Sequence, residues 1–197
     1  MRLARRLACN HRAVQTPADH TIRPARRADA ERIAEIYAGY VETSVSTFEE
    51  QAPTAARMQH RMEAAPRLPW LVALDAHGDV VGYTYASRHH VRSAYRWSVN
   101  CSIFLHQSAQ GRGLASALYD EIIHAVRDLG YVSLFAGITL PNDASVALHE
   151  RLGFQPVAVF PNSGFKLGAW HDVGWFWLPL RDPPQRPTEP AEWDKLG

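Results

Sequence analysis

One passage constrains the fold of this 197-residue chain more than any other. An apolar run from Trp97 to Leu105 empties through Gln110-Gly111-Arg112-Gly113 into the clearest amphipathic helix of the sequence. Leu114, Leu118, Ile122, Val126 and Leu129 fall on one stripe, Asp120, Glu121, Arg127 and Asp128 lie off it, and Gly130 supplies the stop. The next segment, "YVSLFAGITL" (Tyr131–Leu140), reads as a buried strand. A strand–helix–strand kernel of this kind needs a sheet around it.

The flanking segments supply that sheet. "TIRPA" (Thr21–Ala25) predicts a short strand, and Asp29 is expected to N-cap a helix carrying Ile33, Ile36, Tyr37 and Tyr40. "TSVSTF" (Thr43–Phe48) predicts an extended loop, and Pro53-Thr54 start a second helix running to about Ala64. "PWLVAL" (Pro69–Leu74), a turn at "DAHGD" and "VVGYTYA" (Val80–Ala86) predict a hairpin. "RHHVRSAYR" (Arg88–Arg96) is a basic connector. "PND" opens a short helix ending near Arg151, and "GFQPVAVF" and "WHDVGWFWLPL" close the set as strands. The order β-α-α-β-β-β-α-β-α-β-β predicts an α/β fold with a mixed sheet flanked by helices. It is not the steady alternation of a dinucleotide-binding domain. One domain is expected over residues 21–181. The Arg-rich residues 1–20 are set aside as a disordered extension or an over-long start, and the Pro-rich residues 182–197 as an irregular tail.

Composition closes off other classes. A formal charge of +1 gives no electrostatic case for nucleic acid or an anionic membrane. No run approaches the roughly 20 apolar residues of a membrane helix. The two cysteines, Cys9 in the tail and Cys101 in a core strand, do not suggest a disulfide, which fits a reducing cytoplasm. His89 and His90 have no second cluster at ligand spacing, so no metal site is expected.

The glycine loop raises the functional question. A helix N-terminus leaves unpaired N–H groups and favours an anion, and glycines let the backbone approach it closely. By itself the loop is equally a tight turn. No Gly-Lys-Ser/Thr follows, which excludes a Walker loop, and Ser116 stands where a dinucleotide fingerprint wants its third glycine.

Gln110-Gly111-Arg112-Gly113-Leu114-Ala115 resembles the Gln/Arg-x-x-Gly-x-Gly/Ala signature of the GCN5-related N-acetyltransferases. "LPNDASVALHERLGF" (Leu140–Phe154) resembles the element completing the cofactor half of that family. "YVETSVSTF", "PWLVA", "VRSAYRW" and "GFKLGAWHDVGW" extend the likeness, in order, to the phosphinothricin acetyltransferase branch, from about Ile22 to Leu180. The resemblance implies a strongly twisted sheet, a homodimer, and direct acetyl transfer from acetyl-coenzyme A to the primary amine of a small amino acid-like acceptor. It implies that Gln110, Gly111, Arg112, Gly113, Leu114, Ala115, Asn142 and Ser145 contact the cofactor. It also implies that the strand residues Ile103, Phe104 and Leu105 line its acetyl arm, with a backbone N–H for the developing oxyanion.

The same resemblance makes His149 a catalytic acid or base. It assigns Phe48, His90, Arg92 and Tyr95 to the acceptor, with the Arg92 fork suited to a carboxylate. Lys166 lies in a motif of unassigned role. Asn100 departs from the pattern: it stands where the branch keeps a glutamate base, and an amide cannot accept a proton at neutral pH. A polyamine or protein N-terminus as acceptor, and a weak acyl-coenzyme A-binding module that lost its base, therefore stay open beside the amino acid reading.

Overall fold

The computed structural model describes residues 16–64 and 66–195. Eleven elements follow in the expected order: β1 (Thr21–Pro24), α1 (Ala30–Thr43), α2 (Ala55–Glu63), β2 (Trp70–Leu74), β3 (Val80–Arg88), β4 (Ser98–Leu105), α3 (Leu114–Asp128), β5 (Ser133–Leu140), α4 (Asp143–Arg151), β6 (Gln155–Lys166) and β7 (Ala169–Pro179). The strands form one open sheet in the order β1-β2-β3-β4-β5-β7-β6. Every neighbouring pair is antiparallel except β4–β5, which is parallel. The parallel pair is the expected kernel, with α3 as its crossover.

The sheet is covered on both faces. Ile122, Ile123 and Val126 of α3 pack with Leu71, Ala73, Val99, Leu134 and Ala136 on one side. On the other, Ile33, Ile36 and Tyr37 of α1 and Met58 and Met62 of α2 pack on Trp70, Val72, Tyr83 and Phe104. Burial from both sides explains why β2 reads as an unbroken apolar run rather than an alternation.

Two local expectations gain detail. Asp29 is the N-cap residue of α1, but its side chain makes no capping bond. Its carboxylate faces backwards, accepting from the Arg26 N–H at 2.7 Å and from the Arg23 guanidinium at 2.7 and 2.8 Å. The second concerns residues 182–195. They are irregular, but they run back along the domain: Trp193 is 7% exposed in the α3-side core, and Ala191 N–H donates to Leu129 O at 2.8 Å. Trp97 Nε1–H donates to Thr188 O at 2.8 Å, and Arg96 pairs with Glu189. Proline density fixed the lack of regular structure without preventing docking. The expectations for residues 1–15 lie outside the described residues.

Candidate active site between two parting strands

β4 and β5 pair only where Ser98–Asn100 meet Ser133–Phe135. Beyond that point β4 stays with β3 and β5 stays with β7, so a gap opens in the sheet. The Leu105 C=O accepts from Tyr40 Oη–H at 2.7 Å and its N–H meets Tyr40 Oη at 3.3 Å, so both groups face the gap. By strand alternation Ile103 presents its N–H to the same edge, where the ladder to β5 has already stopped. Phe104 points into the α1 core, edge-on to Tyr37 and Tyr40. A cavity of about 110 Å³ fills the gap. Tyr40, Ser46 and Thr139 line it from the α1 face, and Tyr119, Ser145 and His149 from the α3 face.

The glycine loop borders the α3 face. Gly111 has φ 74° and Gly113 φ 80°, the left-handed region that favours glycine. A Cβ at either residue would meet nothing within 4 Å, so backbone conformation rather than crowding selects glycine, and the space before the loop is open. Gly113 is the N-cap of α3 and no side chain caps that end. Its first-turn N–H groups are therefore available to an anion. Leu114 anchors the turn in the core, Ala115 is half-buried, and Arg112 is exposed. Gln110 Nε2–H donates to Tyr40 Oη at 3.2 Å, tying the loop to the strand edge. Asn142 caps α4 by accepting the Ser145 N–H at 3.1 Å.

His149 is 2% exposed, inside the fold rather than on the polar face its neighbours Glu150 and Arg151 suggest. Its Nδ1 lies 2.7 Å from the Ser145 carbonyl, which only accepts, so Nδ1 carries the proton. Nε2 then accepts from Tyr119 Oη–H at 2.9 Å. Burial lowers its pKa, and the ring is neutral with both nitrogens engaged. Cys101 is buried; desolvation pushes its thiol up to about 12, which removes it as a nucleophile. Tyr119 carries no signal in the sequence, because it sits within the apolar stripe of α3.

The opposite face is assembled from distant segments. Val99 and Cys101 point to α3, so Asn100 and Ser102 point away from it, as do Phe135 and Gly137 of β5. Asn100 Nδ2–H donates to Arg88 O at 3.3 Å, and its Oδ1 lies 2.8 Å from His89 Nδ1. The His89 ring stacks on Phe135 at 4.3 Å and meets Trp175 edge-on at 6.0 Å. Phe48 lies across Gly164, where a Cβ would come within 2.4 Å of its ring. Lys166, 6% exposed, donates to Ser44 O and Thr47 O at 2.8 Å each and so fastens the loop that carries Phe48. His90, Arg92 and Tyr95 come together, the His90 ring 4.8 Å from Tyr95 and its Nδ1 accepting the Arg92 N–H at 3.1 Å. They line a neighbouring cavity of about 380 Å³ under Glu189 and Glu192, not the gap itself. Among the described residues no group of three or more His, Cys, Asp or Glu is arranged to hold a metal ion, and no helix is long and apolar enough to cross a membrane.

Comparison with known proteins agrees with this geometry. Residues 22–175 match the acetyltransferase (GNAT) domain family. A phosphinothricin N-acetyltransferase of Streptomyces viridochromogenes is 37% identical over 172 residues, covering 86% of this chain and 93% of that protein. An L-methionine sulfoximine/L-methionine sulfone acetyltransferase of Pseudomonas paraeruginosa is 33% identical, covering 81% and 94%. The crystal structure of a phosphinothricin acetyltransferase from Sinorhizobium meliloti in complex with acetyl-coenzyme A superposes with a TM-score of 0.84, at 38% identity over 90% of this chain and 98% of that one. With the parting strands, the glycine loop and these relatives in agreement, the chain belongs to the GNAT acetyltransferase family.

Proposed function

We propose that the protein transfers an acetyl group from acetyl-coenzyme A to the primary amine of a small amino acid or analogue of the phosphinothricin, methionine sulfoximine or methionine sulfone type, and that it detoxifies such compounds. The observation that carries the reading is the pairing of an uncapped, glycine-fronted helix N-terminus with a gap between parallel strands. The open loop fits a pyrophosphate, and the free edge of β4 fits an acyl arm. Gly111 to Ala115 would hold the pyrophosphate through backbone N–H groups, with Arg112 adding charge. Gln110 stiffens the loop through Tyr40. When bound, acetyl-coenzyme A supplies an activated thioester carbonyl. The Ile103 N–H is the chain's donor for the oxygen of that carbonyl as charge develops on it, with Phe104 and Leu105 setting the strand edge.

His149, Ser145 and Asn142 stand on the thiol side. There the neutral His149, its Nδ1–H on the Ser145 carbonyl and its Nε2 accepting from Tyr119, would hold the Tyr119 hydroxyl on the thiol side rather than acting as a base. On the other face, Phe48 and Trp175 would enclose the body of the acceptor, and Arg92, His90 and Tyr95 would reach its carboxylate from the adjoining cavity. The relatives that act on phosphinothricin and methionine sulfoximine support this acceptor class.

A homodimer fits the β6–β7 ribbon, where Val157, Val159, Phe160 and Phe165 of the edge strand β6 and Trp170 of β7 are each more than half exposed. A reaction drawing on acetyl-coenzyme A suits the cytoplasm. The test is thiol release from acetyl-coenzyme A across a panel of amino acid, polyamine and peptide acceptors. The expected result is turnover confined to small amino acids with a second polar end; turnover only with polyamines or peptides would refute it.

A further inference from the structure

We propose that His89 is the general base of this acetyltransferase and that Asn100 is the positioning residue that sets its tautomer. The inference rests on the acetyl-transfer reading above and adds the group that activates the acceptor.

An acceptor ammonium must lose a proton before its nitrogen can attack. The acceptor face offers few groups free to take it. Glu49 is held by Arg61 at 2.8 and 2.9 Å and by Tyr37 at 3.0 Å. His171 donates from Nε2 to the Lys166 carbonyl at 3.0 Å and lies on β7 past the end of its pairing with β5, six residues from Trp177, which pairs with Phe135 at the fork. Lys166 is bonded to two carbonyls. His90 looks into the neighbouring cavity, and the Asn100 amide is not a base at neutral pH.

His89 differs from all of these. The Asn100 amide orientation follows from its Nδ2–H donating to Arg88 O, which leaves Oδ1, an acceptor only, against His89 Nδ1. His89 therefore carries its proton on Nδ1, and the lone pair is on Nε2. Nε2 makes no hydrogen bond to any described residue. The ring cannot swing freely: Phe135 stacks on one face, Trp175 abuts it edge-on, and Tyr95 stands 6.0 Å away. Phe135 is the last β5 residue paired with β4, opposite Asn100, so the ring lies at the fork of the two strands. Among the ring contacts Tyr95 is the titratable side chain facing His89, and Arg88 and His90 are its chain neighbours.

The step balances as follows. His89 Nε2 takes one proton from the acceptor ammonium and later returns it to solvent. The freed nitrogen pair forms the N–C bond to the thioester carbonyl carbon, and the C–S bond breaks with its pair on sulfur. The second amine proton leaves as the amide forms and neutralises the thiolate. Asn100 touches neither substrate; it holds the imidazole in its Nδ1–H form, which free imidazole side chains populate less.

Two measurements test this. Nitrogen-15 NMR of the unliganded protein should show neutral His89 as the Nδ1–H tautomer, reverting toward Nε2–H in Asn100→Ala. In steady-state assays, His89→Gln should lower kcat about 100-fold or more near neutrality, with acetyl-coenzyme A affinity within twofold of wild type. That deficit should shrink as pH rises toward the acceptor's own pKa, and adding Asn100→Glu to His89→Gln should recover turnover by returning a carboxylate base. An Nε2–H tautomer in the wild type would overturn the proposal. So would a His89→Gln kcat within threefold of wild type, or a loss of kcat that comes with lost cofactor affinity. A wild type that releases no acceptor-dependent thiol would overturn the acetyl-transfer reading and this inference together. A selective loss in His89→Gln alone supports both.

Discussion

The two faces of the gap between β4 and β5 are built from different material. On the α3 face, the proposed cofactor site is backbone: two left-handed glycines, an uncapped helix end, and a strand edge released by divergence. On the opposite face, the proposed acceptor site is side chain, collected from the connector after β3, the loop after α1 and the β6–β7 hairpin. The histidines repeat the contrast. His149 on the first face is buried with both nitrogens engaged, while His89 on the second has one nitrogen bonded and one free. A backbone site serves one invariant ligand, such as a coenzyme. A side-chain site can be re-specified by a few substitutions.

Breaking the backbone face should have the largest effect. Gly113→Val forces a β-branched residue to a φ of 80°, and acetyl-coenzyme A binding should weaken by about 3–4 kcal/mol, on the order of 10²–10³-fold, with the circular dichroism spectrum retained. Isothermal titration calorimetry checks it.

Next comes His149→Ala, which removes the ring from between Tyr119 and Phe154 and takes away the nitrogen that accepts the Tyr119 hydroxyl. Unfolding free energy should fall by about 2–4 kcal/mol, read by urea denaturation. Affinity for small acceptors should change far less.

The acceptor face yields more modest effects. Gly164→Ala drives a methyl into the Phe48 ring, which should raise KM for the acceptor about tenfold while leaving cofactor affinity unchanged. That split separates the two faces kinetically.

The smallest effect is a pH dependence. Burial lowers the His149 pKa in the folded chain, so the unfolded chain binds that proton more readily. Stability from this group is fully present above the unfolded value of about 6.5 and declines as pH falls below it. His149→Gln should flatten that slope between pH 7 and 5.

The same contrast explains what could be read from the sequence. Every strand and helix boundary near the α3 face is local: the stripe from Leu114 to Leu129, the Gly130 stop, and the Asn142 cap each announce themselves within a turn or two. The acceptor face depends on contacts far apart in the chain. Nothing near Lys166 says that its ammonium reaches the carbonyls of Ser44 and Thr47, and nothing near Gly164 says that Phe48 covers it. His89 and His90 read alike in the sequence; only the register Ser87↔Asn100 brings His89 beside the amide. Asp29 takes the N-cap position that the sequence suggests, but Arg23 and the Arg26 N–H outcompete the helix for its carboxylate.

The most direct measurement is a crystal structure of the protein with coenzyme A and an amino acid acceptor. The pyrophosphate should lie on the N–H groups of Gly111 to Ala115, the thiol in the gap beside Ile103, and the acceptor amine on the opposite face near His89 and Asn100. A pyrophosphate bound elsewhere, or an acceptor entering from the α3 face, would contradict it.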